Sequence, residues 1–83
     1  DAVDIAPWIN GEVSWHWSDY YSMAAAMKHA AMTLNTEIVW GGVWDRRLSQ
    51  LSNDLVKEVA NYVDRQKKKN KSAFLDGPHF QLD

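Results

Sequence analysis

The sequence has no cysteine, so it carries neither a disulfide framework nor a thiolate to serve as nucleophile or metal ligand. Any metal bound by this chain must be held by histidine and carboxylate. Only two prolines and four glycines punctuate it, so each marks a place where the backbone turns or stops. No apolar run approaches the roughly 20 residues that span a bilayer, and no stretch reads as a signal peptide. An excess of one charge is also missing: nine Lys and Arg against eleven Asp and Glu leave a formal net charge of −2. That gives no general attraction to nucleic acid. What the chain does have is 46% hydrophobic residues and five Trp, the content of a folded chain. Its 83 residues allow one small domain. The chain opens on Asp1 and runs directly into a strand-like pattern, which reads as a piece of a longer protein.

Ala2 to Ala6 alternates, with Val3 and Ile5 on one face and Asp4 between two alanines on the other. Pro7 ends this strand, and Asn10-Gly11 is a turn signal joining two short extended pieces. Ser18 or Asp19 is expected to cap a helix running to about Asn35, with Tyr20, Met23, Met27, Ala30, Ala31 and Leu34 as its apolar stripe. Glu37 to Trp44 reads as one buried strand, bent at Gly41-Gly42, with Trp40 and Trp44 packing. Leu48, Leu51, Leu55, Val59, Tyr62 and Val63 share one face of a second helix, whose C-terminal end the lysines at 67–69 favour. A final strand alternates His79 and Gln81 against Phe80 and Leu82. The pattern predicts an α+β fold with a small antiparallel sheet and two main helices.

The residues that can carry chemistry are Asp4, His79 and Asp76. Small neighbours leave room around Asp4 for a metal and its water. Gly77-Pro78 predicts a tight turn that brings Asp76 back toward the start of the His79 strand. A carboxylate and an imidazole so placed can share a metal, a proton or a substrate, and can equally be unrelated surface groups.

Three segments carry a resemblance: "DAVDIAPWINGEVSW" at the start, "WGGVW" in the middle and "LDGPHFQL" near the end. Together they resemble the phage endolysins of the zinc D-alanyl-D-alanine carboxypeptidase superfamily, whose best-known activity is L-alanyl-D-glutamate endopeptidase. That family's pattern is Ser-x-His-x-x-Gly-x-Ala-x-Asp, then Trp-Gly-Gly-x-Trp, then Asp-Gly-x-His. Ala2 and Asp4 match the end of the first motif, Trp40 to Trp44 the second, and Asp76, Gly77 and His79 the third. The resemblance implies a zinc-peptidase fold of the hedgehog and D-Ala-D-Ala carboxypeptidase type, with Asp4 and His79 as zinc ligands and Asp76 as general base. Its substrate would be a peptidoglycan stem peptide, cut by zinc-activated water. The protein would be a monomer when full length, accumulating in the host bacterial cytoplasm and acting at the wall after release.

Two departures qualify that expectation. The family's first ligand, a His about seven residues before Asp4, falls ahead of residue 1. The chain is therefore expected to be the C-terminal part of one catalytic domain, inactive alone. Val43 stands where the family often has Asp, which reads as local packing. The competing reading is a non-enzymatic wall-binding or structural fragment that keeps the fold but not the metal. A further one is half of a protein that regains its site with a partner chain.

Trp8, His16 and Trp44 are candidates to line a substrate cleft. For Trp8, Trp15 and Trp17, core packing of at least two is expected. His16 is by default an exposed loop residue, with a lesser prospect of replacing the absent ligand. His29 is expected to be solvated, as is the basic run at 65–71. Arg46 and Arg47 are available to hold an anionic substrate.

Overall fold

The computed structural model describes residues 2–83. The elements follow in the order β1 (Ala2–Asp4), β2 (Trp8–Ile9), β3 (Glu12–Val13), α1 (Trp17–Thr33), β4 (Ile38–Trp40), β5 (Val43–Arg47), α2 (Leu55–Lys68) and β6 (His79–Leu82). The fold is α+β, as the pattern predicts. Four strands form one antiparallel sheet in the order β1-β6-β4-β5, while β2 and β3 make a separate hairpin. Among the described residues, no helix is long and apolar enough to cross a membrane.

Asparagine in the left-handed region ends three elements. Asn10 and Gly11, at φ 51° and 80°, turn the β2–β3 hairpin, the mirror-image turn that matches strand twist. Asn35 and Asn70, at φ 52° and 58°, stop the two helices. Beyond each, an amide reaches back to a last-turn carbonyl, Thr36 to Ala31 and Lys71 to Gln66, both at 2.9 Å.

Helix α1 begins earlier than Ser18 or Asp19 would cap it. His16 is its N-cap, without a side-chain cap bond, and the Asp19 carboxylate instead accepts from the buried Ser14 hydroxyl. The buried face runs through Trp17, Tyr20, Ala24, Met27 and Ala31, so Ala30 and Leu34 point outward. The second helix also differs. Leu48 lies on a short 3-10 turn (Leu48–Gln50), and α2 starts only at Leu55, where the Asp54 carboxylate accepts from the Lys57 amide at 3.1 Å. Leu48 and Leu51 are nevertheless buried in the same core as Leu55, Val59 and Tyr62.

The segment 37–44 is not one bent strand. Gly41-Gly42 reverses the chain, so Trp40 and Trp44 sit on two paired strands. The reason is close approach. A Cβ on Gly42 would meet the Trp40 ring at 2.6 Å, and one on Gly41 would lie 2.1 Å from the Asp76 carbonyl oxygen. Trp40, Val43, Leu48 and Phe80 are the largest fully buried side chains. Val43 is thus a packing residue. Phe80 faces this core, but Leu82, expected beside it, is half exposed at the end of β6. Val3 and Leu82 line an apolar groove with Met27, Ile38 and Phe80.

Candidate functional site

Strand pairing brings the ends of the chain together. Asp4 on β1 is the direct partner of His79 on β6, and Ala2 is the partner of Gln81. Directly paired residues share a face, so Asp4, His79 and Gln81 lie on one side of the sheet, while Phe80 points into the core. His79 Nδ1 is 3.0 Å from Asp4 Oδ1, and Nε2 is 2.9 Å from Gln81 Oε1. The His79 side chain is 19% exposed and that of Asp4 70%, so the carboxylate is open to solvent while the imidazole is held.

Asp76 joins them by a backbone interlock between two distant motifs. The His79 amide donates to the Asp76 carbonyl at 3.0 Å, closing the Gly77-Pro78 turn that the sequence predicts. The Asp76 amide donates to the Gly41 carbonyl, and the Gly41 amide to the His79 carbonyl, both at 2.9 Å. Trp40 Nε1 donates to the Gly77 carbonyl at 2.7 Å, and a Cβ on Gly77 would lie 2.3 Å from the Tyr20 ring. The Trp-Gly-Gly hairpin therefore clamps the Asp-Gly-Pro-His turn in place. Ligand atoms of Asp4, Asp76 and His79 lie within 4.8 Å of one another, the one such group among the described residues.

The electrostatics follow from this geometry. The His79 imidazole is held protonated to higher pH than usual, first by its bond to Gln81, then by the Asp4 hydrogen bond and the charges of Asp4 and Asp76. Partial burial opposes the shift. Both ring nitrogens thus face oxygen acceptors.

Trp44 forms a wall of the site. Its ring is centred 4.9 Å from His79 and stacks on Phe74 at 6.2 Å, and its buried Nε1 has no hydrogen-bond partner among the described residues. Beside it lies a groove of about 260 Å³, lined by Val39, Asp45, Arg46, Arg47, Gln50 and Asp83. Arg47 is bound to Asp83 at 2.6 Å, and Asp45 to Arg65 of α2 by two bonds of 2.8 Å. Arg46 has no ion-pair partner among the described residues.

The other sequence candidates lie apart. Trp8 and Trp15 are 69% and 72% exposed, so of the three early tryptophans only Trp17 packs, against Tyr20, Tyr21 and Trp40. Trp8 lies on a two-stranded hairpin and Trp15 in the link from that hairpin to α1, and neither is in the core. His16 is exposed and lines a groove built from residues between Ile9 and Asp19, which contains none of the three clustered groups. It does not substitute for a ligand there. Sequence reasoning missed Phe74 and a role for Gln81. For Gln81 the signal was present, since alternation puts it on the His79 face; nothing marked Phe74.

No curated protein and no solved structure matches the chain. A family match covers residues 1–83, and that family is described as phage L-alanyl-D-glutamate peptidase. With its three motifs interlocked around a carboxylate–imidazole cluster, the chain belongs to the phage L-alanyl-D-glutamate peptidase family.

Proposed function

We propose that the chain acts in a zinc-dependent peptidoglycan endopeptidase that hydrolyses the L-alanyl-D-glutamate bond of the stem peptide. The observation that carries this reading is the convergence of Asp4, Asp76 and His79 on an open sheet face in a chain of this family. The donor set fits zinc: one nitrogen with carboxylate oxygens. Donors sharing a zinc ion in tetrahedral geometry lie roughly 3–3.5 Å apart, and Asp4 and His79 are 3.0 Å apart. Asp4 and His79 would hold the ion. Zinc bound there supplies Lewis acidity, which makes a water more acidic and a carbonyl more electrophilic.

Asp76 is the general base in this reading. Its carboxylate takes a proton from the attacking water and passes one to the leaving amine of D-glutamate. Trp44 is a wall for the peptide, and Arg46 is the cation for a substrate carboxylate. The site of action would be the wall of the bacterial host, reached from its cytoplasm. The non-enzymatic reading leaves the convergence of the three groups without a purpose.

With Asp76 kept as base, this chain supplies two ligands where hydrolytic zinc sites use three. The 83-residue chain is therefore expected to bind zinc weakly and to hydrolyse little. The test is digestion of purified peptidoglycan by a chain carrying Ser-x-His-x-x-Gly ahead of Asp1, with labelling of new amino groups. New N-terminal glutamate is expected, abolished by chelator and restored by zinc. Hydrolysis indifferent to chelator removes the zinc assignment, and a different new N-terminal residue removes the bond assignment.

A further inference from the structure

His79 has two nitrogens, and only one can face Asp4. What decides which one is the bond on the opposite edge of the ring. There Gln81 Oε1 lies 2.9 Å from Nε2, on the same strand and two residues along, where alternation returns the side chain to the same face. The strand neighbours of Gln81 are Ala2 and Val39, neither with a polar side chain. The amide therefore has no cross-strand side-chain competitor for its oxygen. The Trp44 ring lies against His79, limiting rotation.

We propose that Gln81 is the positioning residue of this site: its amide oxygen accepts the Nε2 proton of His79 and so commits Nδ1 to face Asp4 and any cation between them. The proposal rests on the metal reading above only for the identity of that cation. Histidine ligands ordinarily donate their second N–H to a carbonyl or carboxylate, which fixes orientation and raises the basicity of the ligating nitrogen. Gln81 supplies such a carbonyl from within the same four-residue strand. It touches no reacting atom and acts through His79.

Two variants separate the acceptor role from mere packing. Gln81→Glu keeps an acceptor but cannot donate; Gln81→Met keeps the length and apolar stem but offers no comparable oxygen. The first measurement needs no metal. In nitrogen-15 spectra of the metal-free chain at mildly acidic pH, the His79 Nε2–H should persist in the unaltered chain and in Gln81→Glu. It should be lost to solvent exchange in Gln81→Met, while thermal unfolding shows all three folded. The second measurement is zinc competition against a chromophoric chelator, in chains extended to carry the upstream Ser-x-His-x-x-Gly segment. Gln81→Met should weaken affinity by roughly 10–100-fold, the usual effect of losing such a partner, and Gln81→Glu should match or exceed the unaltered chain.

An Nε2–H equally protected in Gln81→Met overturns the proposal, as does a Gln81→Glu chain that behaves like Gln81→Met. The second result would mean that the amide donates rather than accepts. Zinc binding too weak to measure in the extended chain with Gln81 intact would count against the metal reading alone, because the spectra still decide for or against Gln81.

Discussion

At the scale of single residues, the proposed reading separates groups that would hold a cation from one that would move a proton, and substitution distinguishes them. In a chain extended to carry the upstream Ser-x-His-x-x-Gly segment, Asp76→Asn preserves shape but cannot accept a proton. It should keep near-normal zinc while turnover falls roughly 10²–10⁴-fold, the worth of a positioned general base. His79→Ala removes a donor and should lose zinc and activity together. Zinc content and turnover measured on both variants check this. If Asp76 served only the Gly77-Pro78 turn, Asn would be an equally good turn residue and activity would survive. Gly41 is the residue on which this arrangement is most sensitive to a single methyl. Its added Cβ would press on the Asp76 carbonyl at 2.1 Å, and that carbonyl also accepts from the His79 amide. Gly41→Ala should therefore cost about 1–3 kcal/mol of stability by overpacking. It should also depress activity beyond what that loss explains, seen by comparing unfolding in urea with turnover of the folded fraction.

At the scale of elements, α2 is tied to β5 by the bidentate Asp45–Arg65 pair, whose side chains are 27% and 25% exposed. The Arg65 guanidinium, first through its hydrogen bonds, holds the Asp45 carboxyl below its ordinary value of 3.8. The sign follows. A carboxyl depressed in the folded state contributes stability above its unfolded value, and that contribution disappears as pH falls through the folded one. Asp45→Asn should therefore cost about 1 kcal/mol near neutral pH, a partly exposed bidentate pair being worth somewhat more than a loose surface bridge. The difference between the variant and the parent should narrow from neutral pH to an acidic pH below the folded value. Urea unfolding at both pH values measures it, and a gap that persists in acid would assign the loss to packing instead. The pair engages the Asp45 carboxylate on Arg65, while Arg46, which has no ion-pair partner among the described residues, lines the groove beside Trp44.

For the whole molecule, a small domain with a modest core responds visibly to ligands. A two-ligand site with zinc near its Kd adds only about 0.4 kcal/mol, a rise of roughly 2–3 °C in a domain of this size. That is the expectation for the 83-residue chain in calorimetry at such a zinc concentration, whereas a rise well above 10 °C at the same concentration would mean binding far tighter than two ligands give. The exposed Trp8 on the hairpin and Trp15 in the link to α1 contribute little to the core, so Trp8→Ala should shift stability by less than about 0.5 kcal/mol; thermal unfolding checks it. By itself the sequence determined the α+β class, the Asn10-Gly11 hairpin, the 76–79 turn and the alternation of His79 and Gln81 against Phe80, because each depends on neighbours within a few residues. The motifs at Asp4, Trp40–Trp44 and Asp76–His79 also named the family, since residue types in a fixed order survive without coordinates. Tertiary structure alone decided that Gly41-Gly42 is a reversal and not a bend, because the space a Cβ would need is occupied by the Asp76 carbonyl and the Trp40 ring. It alone left Trp8 and Trp15 outside, since the hairpin and its link to α1 lie away from the core that Trp17 joins. And it alone joined Asp4 to His79: seventy-five residues separate them in sequence, and only the pairing of β1 with β6 sets them 3.0 Å apart.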